Sequence, residues 1–230
     1  MFKKIYFFFF LFAATSSFAG VIFSIPSNNR ITHMRVQMIV PPKPAAAEGT
    51  LFLWPGLQPG GANYFPINNG VLQSVLTWGP SCAPTNQPPL YSTWWISAQY
   101  VNTYGSDPGY TGCLSGPAMS VHPGDVLTIT FSLSNEVWTQ TIYDHNTEKK
   151  VEFQINMMNQ AQNYAIFSIE PYNNAILGHS LYFHNIVMDF ADELPSGPSI
   201  RGDSNAHVST PILSNNNKKC TISEIILQQQ

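Results

Sequence analysis

Val126-Leu127-Thr128-Ile129-Thr130-Phe131-Ser132 decides the fold class. In an extended chain Leu127, Ile129 and Phe131 fall on one side, and Val126, Thr128, Thr130 and Ser132 on the other. Alternation with a period of two is the signature of a strand with one buried and one wet face. Val137-Trp138-Thr139-Gln140-Thr141-Ile142-Tyr143 repeats it, and after the polar turn Asp144-His145-Asn146-Thr147-Glu148 so does Lys149-Lys150-Val151-Glu152-Phe153-Gln154-Ile155. The last two runs predict a hairpin. Further out, Met34–Ile39, Thr50–Trp54, Val71–Trp78, Thr93–Val101, Met119–Val121, Tyr164–Pro171, His184–Phe190 and Cys220–Leu227 also read as strands. They are separated by breakers such as Pro55-Gly56, Pro59-Gly60-Gly61 and Pro123-Gly124-Asp125. No helical periodicity is sustained. The pattern is that of an all-β chain, an antiparallel β-sandwich of two sheets.

The chain of 230 residues is 44% hydrophobic but only 10% charged, with a net charge of -3. Nothing in that balance attracts nucleic acid or an anionic membrane. Lys3 and Lys4, the apolar run Ile5–Ala14, and Ser17-Phe18-Ala19 read as an export signal peptide over residues 1–19, cleaved after Ala19. The run is shorter than the ~20 residues a spanning helix needs. The expected organisation is an N-terminal segment 20–48, a sandwich core 49–195, and a loop, strand and tail over 196–230, with 203–217 flexible. Localisation is expected to be secreted or periplasmic, without stable membrane insertion after cleavage. Of the three cysteines, Cys82 and Cys113 are the favoured disulfide pair, worth about 3–4 kcal/mol in the chain-entropy model. Pairing of Cys220 with either one is the alternative. No Cys/His spacing resembles a zinc site, so neither metal nor cofactor is expected.

Two residues carry most of the available chemistry. Gln73 interrupts the apolar run Gly70-Val71-Leu72-Gln73-Ser74-Val75-Leu76-Thr77-Trp78. Glu170 ends Ala165-Ile166-Phe167-Ser168-Ile169-Glu170, where it shares a face with Ser168 and Ile166. Taken singly, each reads as a solvated strand residue. Trp54, Trp78, Trp94, Trp95 and Trp138 read first as sheet packing, although Trp54 and Trp95 are also candidates for stacking on a ligand. Arg201-Gly202-Asp203 is a chance tripeptide in a loop.

Several segments recur in a recognisable order: Leu53-Trp54-Pro55-Gly56-Leu57, Gly70-Val71-Leu72-Gln73-Ser74, the tryptophan strand, Pro123-Gly124-Asp125, the hairpin around Asn146, and Asn163-Tyr164-Ala165-Ile166-Phe167-Ser168-Ile169-Glu170. This order resembles the glutamic peptidases, the eqolisin family, over about residues 49–190. The resemblance implies a concanavalin-like sandwich with a substrate groove on a concave face, and a secreted endopeptidase acting on polypeptides at acid pH. It places the catalytic glutamine at Gln73 and the catalytic glutamate at Glu170. Glu170 would take a proton from the attacking water and return it to the leaving amine. Gln73 would hold that same water and donate to the oxyanion. Trp54 falls at the family's groove tryptophan. The family's further glutamate in the tryptophan strand is replaced here by Ser97, and only a short segment precedes the core. Trp54, Trp95 and Ser97 are therefore expected to bind substrate. Two other classes stay open: a non-catalytic, lectin-like module binding polysaccharide through aromatic rings, and a paired-carboxylate glycosidase, which needs a second acid near Glu170.

Overall fold

A computed structural model describes residues 19–60, 70–102 and 109–229. The described residues form sixteen strands: β1 (Ala19–Ser24), β2 (Ile31–Ile39), β3 (Thr50–Gln58), β4 (Val71–Trp78), β5 (Trp94–Asn102), β6 (Gly112–Ser115), β7 (Met119–Val121), β8 (Val126–Ser134), β9 (Val137–Asp144), β10 (Lys150–Asn156), β11 (Tyr164–Tyr172), β12 (Leu181–Phe190), β13 (Ser199–Gly202), β14 (Ala206–Val208), β15 (Ile212–Ser214) and β16 (Lys219–Leu227). They make two antiparallel sheets. The front sheet runs β13-β1-β11-β3-β4-β5-β6, with β7 also on β5. The back sheet runs β10-β9-β8-β2-β12-β16-β14, with β15 also on β16. The antiparallel sandwich expected from the alternating runs is the fold. No helix among the described residues is long and apolar enough to cross a membrane.

The quoted runs fall where their alternation puts them. Leu127, Ile129 and Phe131 are fully buried between the sheets, and Ile142 joins them from β9. The predicted hairpin pairs Lys150 with Tyr143 and Asn156 with Val137. Its turn is closed by the Asp144 carboxylate, which accepts from Asn146 N at 2.9 Å and Thr147 Oγ1 at 2.6 Å. From the front sheet, Leu53, Leu57, Leu72, Leu76, Ile96 and Phe167 meet this layer. Each such buried side chain stabilises the fold by roughly 1.5–3 kcal/mol relative to exposure. A polar tie crosses the apolar layer: Gln140 Nε2 donates to Gln99 O at 2.8 Å, and Ser74 Oγ donates to Gln140 Oε1 at 3.4 Å.

Three expectations are corrected. The segment 20–48 does not merely precede the core. It supplies β1, which lies between β13 and β11, and β2, which lies between β8 and β12. The run Val21-Ile22-Phe23 was masked by the apolar leader read just before it. Second, Pro55-Gly56 does not end β3. The strand runs on to Gln58, and Pro55 pairs with Phe167 on β11. On the other side the β3–β4 ladder skips Trp54 and Pro55, so the missing proline N–H falls where the pairing is already interrupted. Third, 203–217 is not a flexible stretch: β14 and β15 both pair with β16. Asn215, Asn216 and Asn217 all have φ between 51° and 59° and make a tight left-handed turn between β15 and β16. The leader, residues 1–18, lies outside the described residues.

The Cys82–Cys113 disulfide is present, and Cys220 is a free thiol buried in the core. Burial pushes its pKa up to about 11, which leaves it a thiol at physiological pH.

Candidate functional site

Register fixes which side chains share the outer face of the front sheet. Gln73 pairs with Gly56 on β3 and with Gln99 on β5. Trp54 pairs with Ser168, and Glu170 with Phe52. Trp95 pairs with Thr77, and Ser97 with Val75. Paired residues point to one side of a sheet. Their neighbours Leu53, Leu72, Ile96 and Ile169 are in the inter-sheet core. Gln73, Glu170, Trp54, Trp95 and Ser97 therefore all lie on the face turned away from it. The face has its own small apolar floor of Trp54, Val71, Val75 and Ile166, flanked by Ile22, Phe52 and Tyr164.

Gln73 and Glu170 stand half-buried at opposite ends of this floor. Counting along the register, Gln73 lies in the row of Gly56 and Ile166, and Glu170 in the row of Phe52. They are thus two strands and four residues apart, about 16 Å between Cα atoms at standard strand spacings. Trp54 occupies the midpoint, on the middle strand. A Cβ added to Gly56 would come within 2.9 Å of Trp54 Cζ3 and 2.7 Å of Leu72 O, so the six-membered ring of the indole lies against a position that has to be glycine. The register alone therefore does not bring the Gln73 and Glu170 backbones together. A shared water would require both side chains to extend toward each other across the Trp54 indole.

The surroundings of Glu170 are unusual for a carboxylate. It is the only acidic residue in any described strand of the front sheet. Burial without a cationic partner raises its pKa from 4.5 to about 7; the Trp54 indole N–H works in the opposite sense, favouring the ionised form. That N–H is buried and closes no hydrogen bond of good geometry. The cross-strand neighbour Ser168 also has a buried hydroxyl without a partner, and so does the Gln58 amide at the end of β3 on this same face. Orphaned buried polar atoms are rare in native folds, and three side chains on this one sheet face carry them. Tyr172, two residues beyond Glu170 and on its face, is 46% exposed and packs edge-on against Phe52 at 5.5 Å. Burial and the Glu170 charge both push its pKa up, so it stays a protonated donor. The sequence reading passed over Tyr172; the alternation that pairs Ser168 with Glu170 extends directly to it.

The other end of the face is closed. The segment after β4 folds over β5: Trp95 Nε1 donates to Gly79 O at 3.0 Å, and Gln99 Nε2 to Ala83 O at 3.1 Å and Ser97 Oγ at 2.7 Å. The Cys82–Cys113 bond ties this segment to β6. Trp95 and Ser97 are fully buried beneath it, so neither presents a surface to a ligand, contrary to the expectation for them. Trp54 has no exposed ring face either, at 1%. A cleft of about 340 Å³ at Ala118–Ser120 and Lys149–Val151, and one of about 640 Å³ lined by Ser24–Pro26 and Asp192–Gly197 among others, contain neither Glu170 nor Gln73. The floor between Gln73 and Glu170 is itself buried, and the outer face keeps partial exposure at its two ends, at Gln73 and at Glu170 and Tyr172. Among the described residues no group of three or more metal-ligating side chains gathers anywhere.

The fold is that of known peptidases. Scytalido-glutamic peptidase, solved with a peptide-based transition-state analogue, matches with a TM-score of 0.58 at 11% identity over 94% of this chain and 98% of that one. SCP-B, a member of the eqolisin family of peptidases solved with the tripeptide Ala-Ile-His, matches with a TM-score of 0.53 at 12% identity over the same shares. No protein-family model matches the sequence, and no curated protein matches it. At such identities the likeness is one of fold.

Proposed function

We propose that this protein is an exported endopeptidase of glutamic type that binds an extended polypeptide along the outer face of the front sheet and transfers protons through Glu170. The observation that carries the reading is the isolation of Glu170: one carboxyl group, half-buried, without a cationic partner, its pKa raised to about 7, beside an unpartnered indole N–H and an unpartnered hydroxyl. A carboxyl poised near neutrality can take a proton from water and return it to a leaving amine.

The roles follow from geometry. As carboxylate, Glu170 activates the water. Trp54 Nε1, buried beside Glu170, favours the carboxylate form of that side chain. Gln73, about four extended residues further along, binds the peptide backbone through its amide. The base form exists only as pH rises through about 7. Activity therefore increases toward neutral pH, not toward the acid optimum that the family resemblance implies. Export rests on the leader reading and on a disulfide of the kind oxidising compartments favour.

Digestion of denatured casein by the disulfide-intact protein between pH 3 and pH 8 tests the reading. Wild type is expected to cleave, and Glu170→Gln to lose on the order of 10²-fold or more in kcat, the usual cost of a lost general base. Equal activity in wild type and Glu170→Gln overturns the assignment of Glu170. A polysaccharide-binding face is the second outcome. It would show as glycan binding that survives Glu170→Gln and is lost in Tyr172→Ala, because Tyr172 is the aromatic that this face leaves exposed. A paired-carboxylate glycosidase has no second acid on the described strands of this sheet.

A further inference from the structure

The tripeptide Arg201-Gly202-Asp203 has a use apart from the peptidase site. Arg201 and Gly202 belong to β13, which pairs with β1 through Val21–Gly202 and Ile22–Arg201. Just past β13 the backbone continues that pairing, with Asp203 N donating to Gly20 O at 3.1 Å. The Asp203 carboxylate then turns back, and Gly20 N donates to its Oδ2 at 2.8 Å. A strand-to-strand ladder would place a neutral carbonyl oxygen in that position. Here a carboxylate meets the nitrogen that becomes an amino terminus if the leader is cut after Ala19. The geometry points to Asp203 as the counter-ion of a new Gly20 α-ammonium formed by cleavage of the Ala19–Gly20 peptide bond.

Chemically, hydrolysis of that bond adds one water. Ala19 leaves as a carboxylate and Gly20 gains the ammonium, which keeps its bond to Asp203 and adds charge to it. Cleavage removes Ala19 and its pairing with Ile169, and the pair locks Gly20, then the first residue of β1, beside Ser168, two positions from Glu170 on β11. Other ionisable side chains on the packed elements are Arg201 on β13, Glu170, Tyr164 and Tyr172 on β11, and His207 on β14. The ammonium is held in its charged form by Asp203. Its folded pKa therefore lies above the ~8 of a free α-amino group, and its stabilisation is complete below that pH and fades as pH rises through the raised value.

The test needs the amino-terminal sequence of the exported protein and two matched forms, one starting at Gly20 and one retaining Ala19 with a residue before it, each with the disulfide intact. The exported chain should begin at Gly20. Asp203→Asn should lower the thermal midpoint of the Gly20 form by about 2–4 °C at pH 7. That difference should shrink above about pH 9–10, and in the longer form it should be less than half as large at pH 7 and unchanged between pH 7 and pH 10. An exported chain beginning elsewhere, or an equal Asp203→Asn loss in both forms, overturns the inference. Neither result depends on whether the protein hydrolyses peptides.

Discussion

The two outer faces of the sandwich treat charge in opposite ways. On the back sheet a polar row crosses four strands: Lys219 Nζ lies 3.2 Å from Asp189 Oδ1, Asp189 pairs with His33, and His33 Nδ1 lies 3.1 Å from Ser132 Oγ. Nearby, His184 lies 3.5 Å from Glu224. His33 has its pKa lowered, chiefly by burial, with Asp189 opposing, so the ring is neutral at pH 7. On the front sheet Glu170 has no such company, and its neighbours are Phe52, Tyr172 and Trp54. A paired surface carboxylate is a routine contributor to solubility and cross-strand pairing. An unpaired one on an apolar floor costs stability, and it persists where the raised pKa is put to use. This difference, more than the presence of any one residue type, is what supports the proposal that the front face is the working face.

The largest expected effect is kinetic. Glu170→Gln should reduce peptide hydrolysis by 10²–10⁴-fold, read as kcat/KM at pH 7, with the fold unchanged by circular dichroism. Asp189→Asn should leave the same rate within twofold; a comparable loss there would erase the distinction between the faces. Next in size is the covered end of the front face. Replacing Cys82 and Cys113 by serine should cost about 3–4 kcal/mol in denaturant unfolding and raise the solvent quenching of tryptophan fluorescence as Trp95 is uncovered.

A smaller effect carries the sign that separates the faces. Because the folded pKa of Glu170 is raised, its ionisation destabilises the fold. The cost is absent below about pH 4.5, grows as pH rises, and is complete above about pH 7. Glu170→Gln should therefore be more stable than wild type at pH 8, by no more than about 3 kcal/mol, and equal to it at pH 4. The smallest effect is Asp189→Asn, which should destabilise by under about 1 kcal/mol at pH 7, less in high salt, because the Lys219 pair is half-exposed.

The centre of the back sheet was legible because its long strands bury one face and wet the other, whereas the short edge strands β14 and β15 bury no residue and were read as loop. β8 and β9 alternate in burial residue by residue, as their sequences do. The front sheet was harder. In β4 every residue but Gln73 is buried, because the apolar floor and the disulfide-tied segment cover its outer face as well. Period-two reasoning still put Glu170 and Ser168 on one side of β11. It could not show that Trp95 and Ser97 lie under a folded-back segment, because that cover is held by hydrogen bonds from side chains to backbone carbonyls between residues about sixteen apart. Nor could it supply the register between β3, β4 and β11. That register, and the glycine at position 56 that makes room for an indole, set Gln73 apart from Glu170. The asparagines at 215–217 misled for another reason: their composition suggests disorder, but their backbone angles are those of a tight turn.

The central claim is that Glu170 is an unpaired carboxyl held near neutrality on an apolar sheet face. Carbon-13 NMR titration of the Glu170 side-chain carboxyl between pH 3 and pH 9, assigned by its disappearance in Glu170→Gln, measures this directly. A midpoint near pH 7 is the expected result. A midpoint near 4.5 would mean that the side chain is fully solvated, and the account of the front face would be wrong.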